Sequence, residues 1–134
     1  MARIRHIALT TETPDQVAAF YQAAFDMQEV GRNERQVLLS DGHINLTILK
    51  WKTEQDADVG PNGPNYSGIH HIGFQVDDLD AACQKLEQAK GESLAGRERL
   101  DTAAGTPGQH RAEMKWAGPD GVVIDISQPG WVIS

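Results

Sequence analysis

Between Arg3 and Thr11, Ile7 and Leu9 alternate with His6, Ala8 and Thr10, the two-residue period of a strand with unlike faces. Thr13-Pro14-Asp15 then supplies an N-cap, a proline for the first helical position and an early acid. Val17, Phe20, Tyr21 and Ala24 follow at i, i+3, i+4 and i+7, which predicts a helix with one apolar face. Three strand-like stretches come next, 28–32, 35–40 and 44–51, with Asp41-Gly42 as the turn between the last two. Residues 53–67 (TEQDADVGPNGPNYS) break the period and read as a polar linker rich in turn residues.

The second half repeats the first. A strand over 68–76 turns Ile72, Phe74 and Val76 to one side and His71, Gly73 and Gln75 to the other. Asp77 and Asp78 can cap a helix whose apolar face is Leu79, Ala82, Cys83 and Leu86, with Gly91 to end it. Strands are expected near 93–97, 111–117 and 122–128, the last two joined by Gly118-Pro119-Asp120-Gly121. One constant offset superposes His6 on His71, Ile7 on Ile72, Leu9 on Phe74, Thr13 on Asp78 and Tyr21 on Leu86. The economical reading is an α+β chain of two βαβββ modules, 3–52 and 68–128, followed by a tail, 129–134. Neither module has enough core alone, so the two must pack as one domain over 1–134. A polar, glycine-containing insertion at 98–109 of the second module is expected to lie over a site.

Strand phase then sorts the side chains. Ile7, Leu9, Leu46, Ile48, Phe74, Ile124 and Ile126 belong to the helix side. The opposite face collects His6, Asn45, His71 and Asp125, and a sheet curved around that face forms a cup. Two neutral imidazoles and a carboxylate suffice to hold a divalent metal with positions left for water or substrate. In the stretch AEMKW, Met114 and Trp116 read as helix-facing, so Glu113 and Lys115 point into the cup. A tight hairpin would bring Glu113 near Asp125 as a base. His70 has the opposite phase and reads as structural. His43 and His110 lie beside a turn and the insertion and read as solvated, and Cys83 reads as a small buried hydrophobe.

Composition narrows the class. With 134 residues, 40% hydrophobic and 23% charged, one globular domain is expected. A net charge of −7 disfavours a nucleic-acid partner. No apolar run is long enough for a membrane span, and no apolar targeting segment opens the chain. Cys83 is the single cysteine, which rules out an intramolecular disulfide and suits the reducing cytoplasm.

The phrases IRHIAL, PDQVAAFY, INLTIL, GIHHIGFQVDDLDAA and GPDGVVIDIS resemble the vicinal oxygen chelate superfamily over residues 4–128. That group spans glyoxalase I, methylmalonyl-CoA epimerase, extradiol dioxygenases and bleomycin-resistance proteins. The resemblance implies two βαβββ modules curled around a divalent metal (nickel, zinc, manganese, cobalt or iron), often in a homodimer. It places ligands at His6, His71 and Asp125. Asn45 stands where glyoxalase-like members carry glutamate or glutamine, so it becomes a weak fourth ligand. The activity implied is that of a lyase or isomerase acting on a small oxygenated substrate that chelates the metal, with Asp125 and Glu113 as catalytic groups. Two other branches remain. His6, His71 and Asp125 match the two-histidine, one-carboxylate set of non-haem iron dioxygenases. A metal-free binding protein is the third reading, although an aromatic content of 6% argues against a stacking cup.

Overall fold

The computed structural model describes residues 1–94 and 113–134. Its first module runs β1 (Arg3–Thr11), α1 (Pro14–Phe25), β2 (Gln28–Arg32), β3 (Gln36–Ser40) and β4 (Asn45–Lys50). Its second runs β5 (Gly68–Gln75), α2 (Leu79–Gln88), β6 (Glu92–Ser93), β7 (Met114–Ala117) and β8 (Val123–Ser127). The insertion at 98–109, His110 and part of the strands expected at 93–97 and 111–117 lie outside the described residues.

The described strands form a single mixed sheet in the order β2-β3-β4-β1-β5-β8-β7-β6. Within each module the first strand lies parallel to the last, β1 beside β4 and β5 beside β8. The modules meet where β1 and β5 pair antiparallel, with Ile7 opposite Ile72. The order is therefore the same read outward from that junction in either direction, as a duplicated unit requires.

Alternation decides the two faces. Leu9, Val37, Leu39 and Ile48 pack with Ala18 of α1 into one apolar cluster. Val76, Trp116 and Ile126 pack with Leu79 of α2 into another, joined by Ala82, Cys83 and Leu86. Helices and apolar clusters thus occupy one side of the sheet. On the other side, residues of β3 and of β7 line one shared cavity of about 340 Å³, although four strands separate them in the sheet. Only a strongly curved sheet brings them together.

Three local expectations need correction. Thr13 precedes α1, but its side chain makes no cap hydrogen bond. The inward row of α1 is Val17, Ala18 and Tyr21, while Phe20 is 60% exposed and Ala24 is also exposed. Small Ala18 lets the helix lie close to β3 and β4, and Phe20 is rotated off that row by one residue's turn. At the end of α2, Lys90 rather than Gly91 takes the left-handed conformation (φ 72°). Gly91 is needed for space: a Cβ there would stand 3.1 Å from the Leu86 carbonyl oxygen and 3.4 Å from the Trp116 ring. The cap itself is as expected, Asp78 accepting from the Ala81 N–H at 3.1 Å. Among the described residues no helix is long and apolar enough to cross a membrane.

Candidate metal centre

His6 on β1, His71 on β5 and Asp125 on β8 come from three adjacent inner strands and are all buried. His6 Nε2 lies 3.1 Å from His71 Nε2, and His71 Nε2 lies 3.0 Å from Asp125 Oδ2. One donor atom from each falls within 4.8 Å of the other two. Donors at right angles around an ion with bonds of about 2.1 Å stand about 3.0 Å apart, so the set fits a first-row divalent metal. The second carboxylate oxygen, Asp125 Oδ1, is buried and has no hydrogen-bond partner among the described residues.

The protons on the two imidazoles follow from their outer neighbours. The Val132 carbonyl can only accept, so the Asn45 amide presents its N–H₂ there, at 2.8 Å. Asn45 Oδ1 then faces His6 Nδ1 at 2.8 Å and also accepts from Thr47 Oγ1 at 2.7 Å. His6 must donate through Nδ1, which leaves Nε2 bare toward the centre. On the other side, His70 donates through Nε2 to the Val59 carbonyl at 3.1 Å. Its Nδ1 accepts from His71 Nδ1–H at 2.7 Å, so His71 Nε2 is bare as well. Burial, the largest influence on each, lowers His6 and His70 and takes His71 well below the ordinary imidazole value, which keeps all three neutral. Two lone pairs and a carboxylate therefore converge with no proton of their own between them, an arrangement that calls for a cation.

A protein cation stands beside that point. Lys115 on β7, opposite Asp125 in the hairpin register, is buried with its ammonium on Asp125 Oδ2. Lys115 Nζ is also 3.0 Å from Glu113 Oε1 and 3.6 Å from Asp58 Oδ2. Burial alone would lower the lysine, but Asp125, Glu113 and Asp58 outweigh it and raise its pKa. Asp58 is itself fully buried and paired with Lys52 at 3.1 Å. A residue of the expected linker thus belongs to the charge network of the cavity.

The tail closes the remaining side. Trp131 stacks on His6 with ring centroids 4.7 Å apart and an interplanar angle of 4°, and its indole N–H donates to Glu113 Oε2 at 3.1 Å. Gly73 makes this packing possible. A Cβ there would lie 2.7 Å from both His6 Cβ and Trp131 Cη2.

Of the residues singled out by sequence, the structure brings His6, His71 and Asp125 to one point and puts Glu113 on the wall of the same cavity. Glu113 reaches the site through Lys115, the residue that actually stands opposite Asp125. Asn45 is buried in the cavity wall too, but its carbonyl oxygen is turned to His6 Nδ1 rather than to the point of convergence. The two modules also use different rungs of their last strands. Asn45 pairs with His6, whereas His71 pairs with Val123 and Asp125 pairs with Gly73. By register, the counterpart of Asp125 is Thr47: Asp125 stands opposite Gly73, and Thr47 stands opposite Ala8, the residue that the offset superposes on Gly73. Sequence reasoning assigned no role to Lys115, Lys52, Asp58 or Trp131. The phase of AEMKW already pointed Lys115 inward, while nothing in a polar linker or a six-residue tail marks Asp58 or Trp131.

A family model described as the Glyoxalase/Bleomycin resistance protein/Dioxygenase superfamily matches residues 3–126. No curated protein sequence matches the chain. Among solved structures, a variant of Streptomyces coelicolor methylmalonyl-CoA epimerase in complex with 2-nitronate-propionyl-CoA is 25% identical, with 98% of this chain and 97% of that one covered and a TM-score of 0.62. A methylmalonyl-CoA epimerase in complex with methylmalonyl-CoA and NH4+ is 24% identical, with 96% and 94% covered and a TM-score of 0.62. A hypothetical protein from Bacillus halodurans C-125 is 16% identical, with 99% and 98% covered and a TM-score of 0.65.

Proposed function

Since the chain belongs to the Glyoxalase/Bleomycin resistance protein/Dioxygenase superfamily, we propose that it is a divalent-metal lyase or isomerase acting on a small, metal-chelating oxygenated substrate. His6, His71 and Asp125 hold the metal, with Asn45 as the residue that fixes the His6 tautomer. The observation that carries this reading is the pair of bare imidazole nitrogens facing each other at 3.1 Å beside a buried carboxylate. When bound, the metal supplies Lewis-acid stabilisation of negative charge on a substrate oxygen.

Glu113 is the base. Its Oε1 lies 3.0 Å from the Lys115 ammonium and its Oε2 accepts from the Trp131 indole N–H at 3.1 Å, so the carboxylate is held on the wall of the cavity. On an α-hydroxycarbonyl substrate it removes the proton from the hydroxyl-bearing carbon and returns it to the former carbonyl carbon, the electron pair resting on oxygen in between, while the hydroxyl proton passes to the former carbonyl oxygen so that the C–H and C=O bonds exchange places. Among the described residues, the wall across the β1–β5 junction offers Gln36, Leu38, Thr47 and Leu49, none of them a carboxylate. That favours a single-base proton shift over an epimerisation with a base on each side, and methylmalonyl-CoA, bound in one of the solved neighbours, is the first substrate to set against it. Lys115 and Lys52 against Asp58, Asp125 and Glu113 leave one net negative charge, which a divalent ion turns positive. An anionic intermediate suits that balance.

The test is elemental analysis of protein purified without chelator, beside the His6→Ala/His71→Ala double variant, together with deuterium wash-in from D₂O on a panel of 2-oxo and 2-hydroxy carbonyl substrates. Stoichiometric nickel, zinc, manganese or cobalt lost in the double variant, with wash-in abolished by Glu113→Gln, is expected. Full exchange in Glu113→Gln removes that residue from the mechanism. The three-donor set also supports an iron dioxygenase, because Asn45 is engaged elsewhere and leaves open positions on the ion. Iron with oxygen uptake on catechols selects that reading, and metal-free protein in both samples selects a binding protein. A homodimer belongs to the same proposal, supported by exposed Phe20 and Phe25 on α1 and tested by sedimentation.

A further inference from the structure

The tail would need no explanation if it merely lay over the sheet. Instead three of its groups engage the cavity. Trp131 presents its ring to His6 and its indole N–H to Glu113, and the Val132 carbonyl accepts from Asn45 Nδ2. Its path is also specified locally. Gly130 adopts φ 82°, and its N–H donates to Ser127 Oγ at 3.0 Å at the end of β8. Gly73 on β5 clears the space that the indole fills.

We propose that Trp131 is a positioning residue of the site: its ring clamps the His6 imidazole and its indole N–H aims the Glu113 carboxylate, which makes the C-terminal tail a working part of the cavity. The inference rests on the reading of His6 as a ligand and Glu113 as a base. A ring stacked nearly parallel to an imidazole removes its freedom to rotate, as the hydrogen bond from Nδ1 to Asn45 does from the edge. The two restraints act on different motions, tilt and in-plane rotation. A single indole donor, by contrast, fixes only one of the two carboxylate oxygens of Glu113. The second is held by Lys115. Trp131 therefore couples the metal side of the cavity to the base side through one rigid side chain.

Trp131→Phe keeps the ring and loses the donor; Trp131→Leu loses both. Cobalt(II) is titrated into metal-free wild type and both variants by calorimetry and by indole fluorescence. Wild-type emission should be quenched along the calorimetric isotherm. In Trp131→Phe the cobalt Kd should stay within about threefold of wild type while the quenching is largely lost, and in Trp131→Leu the Kd should weaken about 10- to 100-fold, as for other outer-shell partners. A second readout uses no metal. The indole N–H resonance that disappears in Trp131→Phe should exchange slowly with water in wild type and move in Glu113→Gln. Unchanged cobalt affinity in Trp131→Leu, or an indole N–H that exchanges as freely as a solvated one and ignores Glu113→Gln, overturns the inference. If wild type takes up no cobalt, the metal reading fails by itself, and the metal-free resonance still decides whether Trp131 holds Glu113.

Discussion

Replacing Lys115 by methionine removes the positive charge on which three carboxylates lean, at little cost in side-chain volume. The lysine is 4% exposed, its ammonium touches Asp125, and Glu113 and Asp58 stand 3.0 and 3.6 Å away. Breaking a buried pair by deleting one partner costs about 3–5 kcal/mol, because the surviving charge keeps its desolvation penalty without compensation. In a domain of this length each kcal/mol moves Tm by about 3–5 °C. The metal-free variant should therefore melt roughly 9–25 °C below wild type. Added nickel, zinc or manganese restores positive charge at the carboxylates, and ligand at a hundred times its Kd contributes about 2.7 kcal/mol of linkage stabilisation. Since Asp125 Oδ2 no longer serves the ammonium, the variant should gain more from metal than wild type does. Scanning calorimetry on chelator-treated protein, with and without metal, reads both effects. A metal-free Lys115→Met that melts within about 2 °C of wild type refutes the assignment of Lys115 as the counter-charge, since a shift so small lies far below the loss expected from a buried pair.

Three further outcomes are expected. Because burial lowers His6, His70 and His71 from 6.5, the unfolded chain binds more protons than the folded one just below that value. Stability of the metal-free protein should be level above about pH 6.5 and fall as pH drops below it, with a shallower slope in His71→Gln; urea melts between pH 5 and 8 measure this. Asn45→Ala frees His6 to flip its tautomer and should weaken cobalt binding about 10- to 100-fold in calorimetry, with little change in the far-ultraviolet circular dichroism. Gly73→Ala drives a methyl group against His6 and Trp131, so it should cost about 1–3 kcal/mol in denaturant melts and expose the indole to an aqueous quencher.

Much of the architecture was legible because alternation is strict where one face of a strand is greasy. Ile7 and Leu9, Leu46 and Ile48, Phe74 and Ile126 all fell on the helix side, and the offset that superposes His6 on His71 exposed the duplication. The same phase put Lys115 in the cup. What periodicity does not carry is the identity of the cross-strand partner. The register makes that partner Lys115 for Asp125, and it places Asn45 and Asp125 on different rungs. Helix orientation was less legible, since Phe20 and Tyr21 are both apolar and the helix settled on the row containing small Ala18. Asp58 and Trp131 lie in segments whose composition says only loop, and the burial of Asp58 and the seat of Trp131 against His6 and Glu113 follow from tertiary contacts alone.

The mismatch of rungs has a stereochemical consequence. A frame that is nearly two-fold symmetric about the β1–β5 junction is furnished on one flank with Asp125, Glu113 and Lys115, and on the other with Thr47, Gln36 and Leu38. On the proposed function, a flat carbon centre lodged between them would meet a carboxylate on one face and Thr47, Gln36 and Leu38 on the opposite face. On the proposed assignment of Glu113 as the base, handedness in the product would be written into a duplicated scaffold by the divergence of its halves, and a carboxylate introduced at Thr47 would be the shortest route to erasing it.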